Sequence, residues 1–246
     1  MSLSVAGSGA DHPWRMLVFG VTGSIGHTVA RTAQSRNWHV VGISRSDAAT
    51  DDCGVKRIAC DPLVDDLLAA LSGEEPFDAV CWAHGANLRD SLTAFDVDDH
   101  LELYRANCLL VLVSASALLR GGLLRQGGAR LTIVSSIWQD RARQDKLSYT
   151  VTKAAVGGIV RSASVDLASE GHLVNGVLPG VLQTPMTQAN LSSEQIDLIR
   201  AKTPHGRLPD LDTVAETILF LCSSANKSIT GQSITVDLGM SNVSLV

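Results

Sequence analysis

Only two tyrosines, Tyr104 and Tyr149, occur among 246 residues, so a tyrosine inside a chemical pattern stands out. Cysteine is scattered: Cys53, Cys60, Cys81, Cys108 and Cys222 are odd in number and never spaced Cys-x-x-Cys. That argues against a disulfide framework and a zinc site, and no metal is expected. Reduced, buried thiols fit a cytoplasmic protein. Basic charge is not in excess, with 20 Lys and Arg against 25 Asp and Glu and a net charge of −5. Without basic runs, nucleic acid is not an expected partner. Long apolar runs are missing as well. The longest nearly apolar stretch, Leu109–Leu119, is interrupted by Ser114 and Ser116. It falls short of the roughly 20 residues that span a bilayer, so no membrane association is expected. Met1–Pro13 lacks a basic segment followed by an apolar one and reads as a flexible Gly/Ser/Ala-rich lead rather than a signal peptide.

With 45% apolar and 18% charged residues, the chain suits one packed domain, here residues 14–246, and not a disordered polymer. Strand-like and helix-like segments alternate almost from end to end. Trp14–Phe19, His39–Ser44, Val55–Ala59, Asp78–Ala83, Ala129–Ser135, His172–Leu178 and Ser233–Val236 read as strands. Ile25–Ser35, Leu63–Leu71, Asp96–Leu119, Leu147–Leu167 and Thr213–Leu221 read as helices. This alternation predicts an α/β fold: a single doubly wound Rossmann-type domain whose seven-stranded, mostly parallel sheet is covered by helices on both faces. Gly85–Phe95 and Thr184–Arg207 are the two longest irregular stretches. Such loops lie over the carboxyl ends of the strands, where ligands bind.

The first strand runs directly into Gly20-Val21-Thr22-Gly23-Ser24-Ile25-Gly26 and then a helix. Glycines allow a tight turn and a close approach to a diphosphate, and the helix N-terminus offers free amides and a positive dipole end. Glycines alone are weak evidence, but the strand–turn–helix context is present. Gly20, Thr22, Gly23, Ser24, Ile25 and Gly26 are therefore candidate dinucleotide contacts. The second strand ends at Ser44, where an acid would hold the ribose hydroxyls, and Arg45 follows. Arginine pairs with a phosphate, which favours NADP, with NAD as the alternative. Asp47 lies near the usual acidic spacing and competes with this reading, as does a merely solvated Arg45.

In Leu147–Val156 a helix would stack Tyr149 and Lys153, four residues apart, on one face. A nearby ammonium is expected to lower the phenol pKa toward neutrality, as a general acid/base requires. Ser135 and Ser136 end an apolar strand that opens toward the same cleft, and a serine there can hold a carbonyl oxygen. Asn107 is an amide in an apolar helix, read alone as a packing or kink residue.

Together these residues resemble the short-chain dehydrogenase/reductase family over almost the whole chain, with the closest look to oxoacyl-carrier reductase-like, one-domain members. The likeness includes Val174–Gly180 followed by Thr184, Gly206–Pro209 with Val214–Glu216, Ile229–Gln232, and Val236–Gly239. It implies a catalytic set of Asn107, Ser136, Tyr149 and Lys153. Ser136 and Tyr149 would bind the carbonyl oxygen, Tyr149 would exchange the proton, Lys153 would hold the nicotinamide ribose, and Asn107 would hold a water. Ser136 is preferred to Ser135 because it lies thirteen residues before Tyr149, as in the family. The resemblance extends the cofactor contacts to Asp61, Pro62, Ala83, Gly85 and Val134. It extends them further to Pro179, Gly180, Leu182 and Thr184, the last touching the carboxamide.

Three departures stand out. The middle glycine, Gly23, is spaced as in the two-domain epimerases and dehydratases. Trp82-Ala83-His84-Gly85 replaces the usual Asn-Asn-Ala-Gly; His84 could face the site, against the plainer reading of a packed or solvent-facing histidine. Leu238 replaces a glycine. An epimerase or dehydratase, or a catalytically silent nucleotide sensor, is therefore the rival to an alcohol/carbonyl oxidoreductase acting on a small molecule. The resemblance also implies a homotetramer or homodimer. Thr184–Arg207 is expected to be a lid with an oily inner face.

Overall fold

The computed structural model describes residues 13–45 and 54–243. The lead before Pro13 and Asp47 lie outside them. One sheet contains β1 (Arg15–Phe19), β2 (His39–Ser44), β3 (Lys56–Ala59), β4 (Ala79–Trp82), β5 (Arg130–Val134), β6 (Leu173–Pro179) and β7 (Ser233–Val236). Their spatial order is β3-β2-β1-β4-β5-β6-β7. Every pairing is parallel, so the sheet is wholly rather than mostly parallel. The chain begins in the middle, winds out to β3, then returns to β4 beside β1. That reversal opens a crevice at the carboxyl ends of β1 and β4, the ligand position of doubly wound sheets.

The period-2 alternation of side chains lets each strand feed two cores. In β1, Met16 and Val18 pack with Val29 and Ala33 of α1 (Ser24–Ser35) and with Ile218 of α8 (Leu211–Leu221). Leu17 and Phe19 face the other side. There they join Leu110 and Val111 of α4 (Leu110–Arg120), and Val156 and Val160 of α5 (Leu147–Asp166). Trp82 ends β4 in this second core, stacked on Phe19 at 5.7 Å between ring centroids. Its indole N–H donates to the Ser114 hydroxyl at 2.8 Å. The hydroxyl that interrupts the apolar run thus satisfies the one polar atom the tryptophan buries.

Three stretches differ from the sequence expectation. Within Leu63–Leu71 only α2 (Leu67–Ala70) is helical. The Asp61 carboxylate accepts from the Leu63 amide and the Asp65 carboxylate from the Asp61 amide, a local turn that competes with the helix. The expected helix Asp96–Leu119 is α3 (Val97–Tyr104), a widened π-turn (Arg105–Leu109), then α4. The whole run Val97–Arg120, 24 residues, is long and apolar enough to cross a membrane by length and composition, which the sequence reading did not count. Leu103, Cys108, Leu110, Val111 and Leu118 on this run are instead buried in the protein core. Thr184–Arg207 is not irregular: it contains α6 (Pro185–Asn190) and α7 (Ser193–Lys202). Thr184 caps α6 with Pro185 behind it, and Ser192 with Gln195 forms a capping box, so both helices carry start signals.

Candidate active site

The turn after β1 is held by contacts only glycine permits. Gly20 has φ +75°, and a Cβ there would lie 2.7 Å from the backbone of His84. A Cβ on Gly26 would lie 2.2 Å from the Gly20 carbonyl oxygen. Gly23 donates to that same oxygen at 3.0 Å and begins α1 with no side-chain cap and no acid in the first turn. Thr22 and Gly23 are exposed at the turn, with Ser24 and Ile25 half-buried. An uncapped helix start facing an open turn is what a diphosphate needs.

Along the carboxyl edge of the sheet, Ser44 is buried at the end of β2 and Arg45 is exposed beyond it. Asp61 and Pro62 follow β3. Ala83 and Gly85 follow β4, Pro179 ends β6, and Gly180 and Leu182 follow it. Gly180 donates to the Val236 carbonyl at 2.9 Å, tying this edge to β7. The Thr184 hydroxyl accepts from the Thr187 amide at 3.3 Å, so it is engaged as a helix cap.

Ser136, Tyr149, Lys153 and Asn107 are brought together where β4 and β5 end. The Ser136 hydroxyl is close enough to Tyr149 to favour its ionised form, and the Lys153 ammonium lies 5.6 Å from the Tyr149 ring centroid. That ammonium donates to the Val134 carbonyl at 3.3 Å. Ser135, by contrast, uses its amide in the β5–β6 ladder and aims its hydroxyl at the Lys153 carbonyl. Asn107 sits in the π-turn, where its amide takes over main-chain bonding. Its Oδ1 accepts from the Ala86 amide at 2.8 Å, and its Nδ2 donates to the Ala86 carbonyl at 3.1 Å and the Thr152 hydroxyl at 3.0 Å. The widened turn gives the inward-facing amide this reach.

Burial dominates the protonation of the pair. The Tyr149 phenol is pushed up to about 12, with the Ser136 hydrogen bond opposing. The Lys153 ammonium is pulled down to about 8. The expected lowering of the phenol toward neutrality is therefore not what the geometry gives. Lys153 is buried and Tyr149 is half-buried as a residue, and withdrawing each ionising group from water disfavours its charged form. Tyr149 is consequently a protonated acid at neutral pH.

His84 is neither solvent-facing nor paired. Both ring nitrogens are sealed from solvent without a partner in hydrogen-bond geometry. Burial, then the positive charges of Lys153 and Arg45, pulls its pKa down to about 3, with the Ala106 backbone opposing. It is a neutral imidazole packed under the glycine turn. The residues present fit a nicotinamide dinucleotide: a glycine cradle that a Cβ would fill, an uncapped helix start, and orphaned polar nitrogens beside them.

Sequence reasoning missed the ties that hold the loop after β4. The Asp90 carboxylate accepts from the Ser148 amide and hydroxyl, and His100 Nδ1 lies 2.7 Å from that hydroxyl. The Lys146 ammonium donates to Asn87 Oδ1 and the Leu88 carbonyl. These partners are 48 to 59 residues apart in sequence; only contacts of the folded chain, not a local motif, relate them. A cleft of about 450 Å³ opens past Ser136, lined by Ile137, Asp140, Arg141, Leu178, Ser241 and Asn242. Trp138 is half-buried beside it. Met186 and Leu198 of the expected lid are exposed rather than buried on the sheet.

Known proteins resemble this chain over most of its length. A family model described as enoyl-(acyl carrier protein) reductase matches residues 20–241. The chain is 28% identical over 235 residues to a 3-oxoacyl-(acyl-carrier-protein) reductase of Vibrio cholerae, covering 91% of this chain and 96% of the relative. It is 26% identical to a gluconate 5-dehydrogenase of Gluconobacter oxydans, covering 92% and 94%. Among solved structures, an oxidoreductase of the short-chain dehydrogenase/reductase family from Burkholderia thailandensis superposes with a TM-score of 0.85 at 27% identity, covering 93% of each chain. A gluconate 5-dehydrogenase from Burkholderia cenocepacia, in complex with NADP and tartrate, gives 0.86 at 25% identity, covering 94% and 96%. The chain belongs to the short-chain dehydrogenase/reductase family and is an NAD(P)-dependent oxidoreductase that transfers hydride to or from a small-molecule substrate.

Proposed function

We propose that the protein is an NADP-preferring carbonyl reductase, running also as an alcohol dehydrogenase, with Tyr149 as general acid/base. The observation that carries this is the convergence of Ser136, the half-buried Tyr149 and Lys153, with the Tyr149 phenol kept protonated by its withdrawal from water. Ser136 and Tyr149 hold the substrate oxygen, and Tyr149 gives it a proton as the carbonyl is reduced. Lys153 holds the nicotinamide ribose and faces the developing phenolate. Asn107 fixes the loop at Ala86 and, through Thr152, the backbone of Tyr149. Bound NADPH supplies the hydride. The polar cleft beside Ser136, with Asp140, Arg141, Ser241 and Asn242, favours a substrate with polar groups near its carbonyl. The exposed apolar residues of α6 and α7 favour bulk on the other side when this segment closes as a lid.

The cofactor preference rests on Arg45, exposed at the end of β2 with no acid at Ser44, and on the NADP named in the complex of the Burkholderia cenocepacia relative. Arg45→Ala should remove most of an NADPH-over-NADH preference, a loss of about 1.5–3 kcal/mol for a charge-assisted contact. Titrating both cofactors against both proteins checks this. Equal wild-type affinities would transfer the role to Asp47 and favour NAD.

A homotetramer or homodimer in the cytoplasm belongs to the same reading. Leu101, Tyr104, Leu112 and Val151 leave large apolar surfaces exposed on α3, α4 and α5. The described cysteines, Cys60, Cys81, Cys108 and Cys222, are free and buried. Light scattering at micromolar concentration should give a multiple of 26.0 kDa; a monomer mass would contradict it.

A further inference from the structure

Lys146 is a buried lysine that the catalytic set does not include. It stands at the start of α5 and is 6% exposed. Its ammonium donates to Asn87 Oδ1 at 2.8 Å and to the Leu88 carbonyl at 2.9 Å. It also lies 5.9 Å from the Tyr149 ring centroid, close to the 5.6 Å of Lys153. Two ammonium groups therefore flank one phenol.

We propose that Lys146 is a second charged partner of Tyr149, a positioning residue that stabilises the phenolate as the proton leaves for the substrate oxygen. The proposal rests on Tyr149 being the proton carrier. A phenolate spreads its charge into the ring, so a cation near the ring lowers its energy even without touching the oxygen. Lys146 is held there by two oxygens of the loop after β4. That loop is pinned on either side, at Ala86 by Asn107 and at Asp90 by Ser148.

The charges around the pair are set by several elements. Ser136 faces Tyr149 from the end of β5, and Lys153 from one turn along α5. Burial, then Arg143 and Arg89, pulls the Lys146 ammonium below the usual lysine range, while Asp90 and Asp145 oppose. Arg89 is itself paired with Asp145 at 3.0 Å. His84, nearest to Lys153, is a neutral imidazole, and His100 reaches this region only through Ser148.

The rival is that Lys146 only stitches the loop to α5. The two ideas predict opposite signs. Losing a nearby positive charge raises the phenol pKa. Losing a stitch lets water in and lowers it toward the ordinary value. In a Tyr104→Phe chain Tyr149 is the only tyrosine, so fluorotyrosine incorporation labels this site alone. A polyfluorinated tyrosine is used, acidic enough for its phenol to titrate while both lysines still carry their charge. We would follow it by ¹⁹F NMR, with no substrate or turnover involved. Lys146→Met should raise the midpoint by about 0.5–2 pH units, the span from water-like to surface-like screening of a charge about 6 Å away. Lys146→Arg should leave it nearly unmoved. Lys146→Gln, which keeps a donor for the loop, should rise like the methionine variant and serves if that one fails to fold. A midpoint that is unchanged or falls in the charge-free variants overturns the proposal. Lys153→Met distinguishes this from a failure of the functional reading: a rise there without one in Lys146→Met sinks Lys146 alone.

Discussion

Tyr149→Phe is expected to keep NADPH binding and lose about 10²–10⁴-fold in turnover. The substitution removes one oxygen from a half-buried side chain and leaves the ring beside the Lys153 and Lys146 ammonium groups. Only the proton donor goes. The geometry makes the loss one of chemistry rather than of binding, because the glycine cradle and Arg45 lie at the ends of β1 and β2, whereas Tyr149 lies on α5. Steady-state rates with NADPH, alongside cofactor titration by fluorescence, check both halves. Near-normal turnover would refute Tyr149 as the proton carrier. Ser136→Ala should follow the same pattern, while Ser135→Ala should be mild, because the Ser135 hydroxyl faces the Lys153 carbonyl.

Gly26→Ala is expected to weaken NADPH binding on the order of 10²-fold, since backbone displacements near 1 Å have effects of that size. By helix propensity alone, alanine at this position in α1 should stabilise the chain. The added Cβ, however, would lie 2.2 Å from the Gly20 carbonyl oxygen and 2.9 Å from its carbon, so the turn itself must move. Gly158→Ala is the matched control. It lies within α5, and a Cβ there meets nothing within 4 Å. That variant should bind NADPH normally and be no less stable. Equal affinity in the Gly26 and Gly158 variants would mean that the turn does not cradle the diphosphate.

The parts of this molecule legible in the sequence are those whose cause is local. β2 and β7 have the bounds their apolar runs imply, and α5 follows from composition and the Tyr149–Lys153 spacing. The glycine turn was readable because strand, turn and helix are contiguous. α6 and α7 were missed although Thr184-Pro185 and Ser192–Gln195 announce them, because irregular apolar spacing was given more weight than caps. The π-turn at Arg105–Leu109 has no local signal. It exists because Asn107 bonds the backbone of Ala86 and the Thr152 hydroxyl, which only the folded chain brings near. The same holds for Asp90 with Ser148 and for Lys146 with Asn87. The direction of the Tyr149 pKa was misjudged for a related reason: spacing reveals a neighbouring charge, but burial is a property of the whole fold.

The central claim is that this cleft reduces a carbonyl with hydride from NADPH and a proton from Tyr149. It is tested most directly by mixing purified protein with NADPH and a panel of ketones and aldehydes, polar and apolar, and following nicotinamide absorbance. The prediction is substrate-dependent NADPH oxidation with alcohol formed in equal amount, faster than with NADH at equal low concentration. NADPH that binds but is never oxidised, whatever the carbonyl, would contradict it and leave a protein that senses the nucleotide without using it.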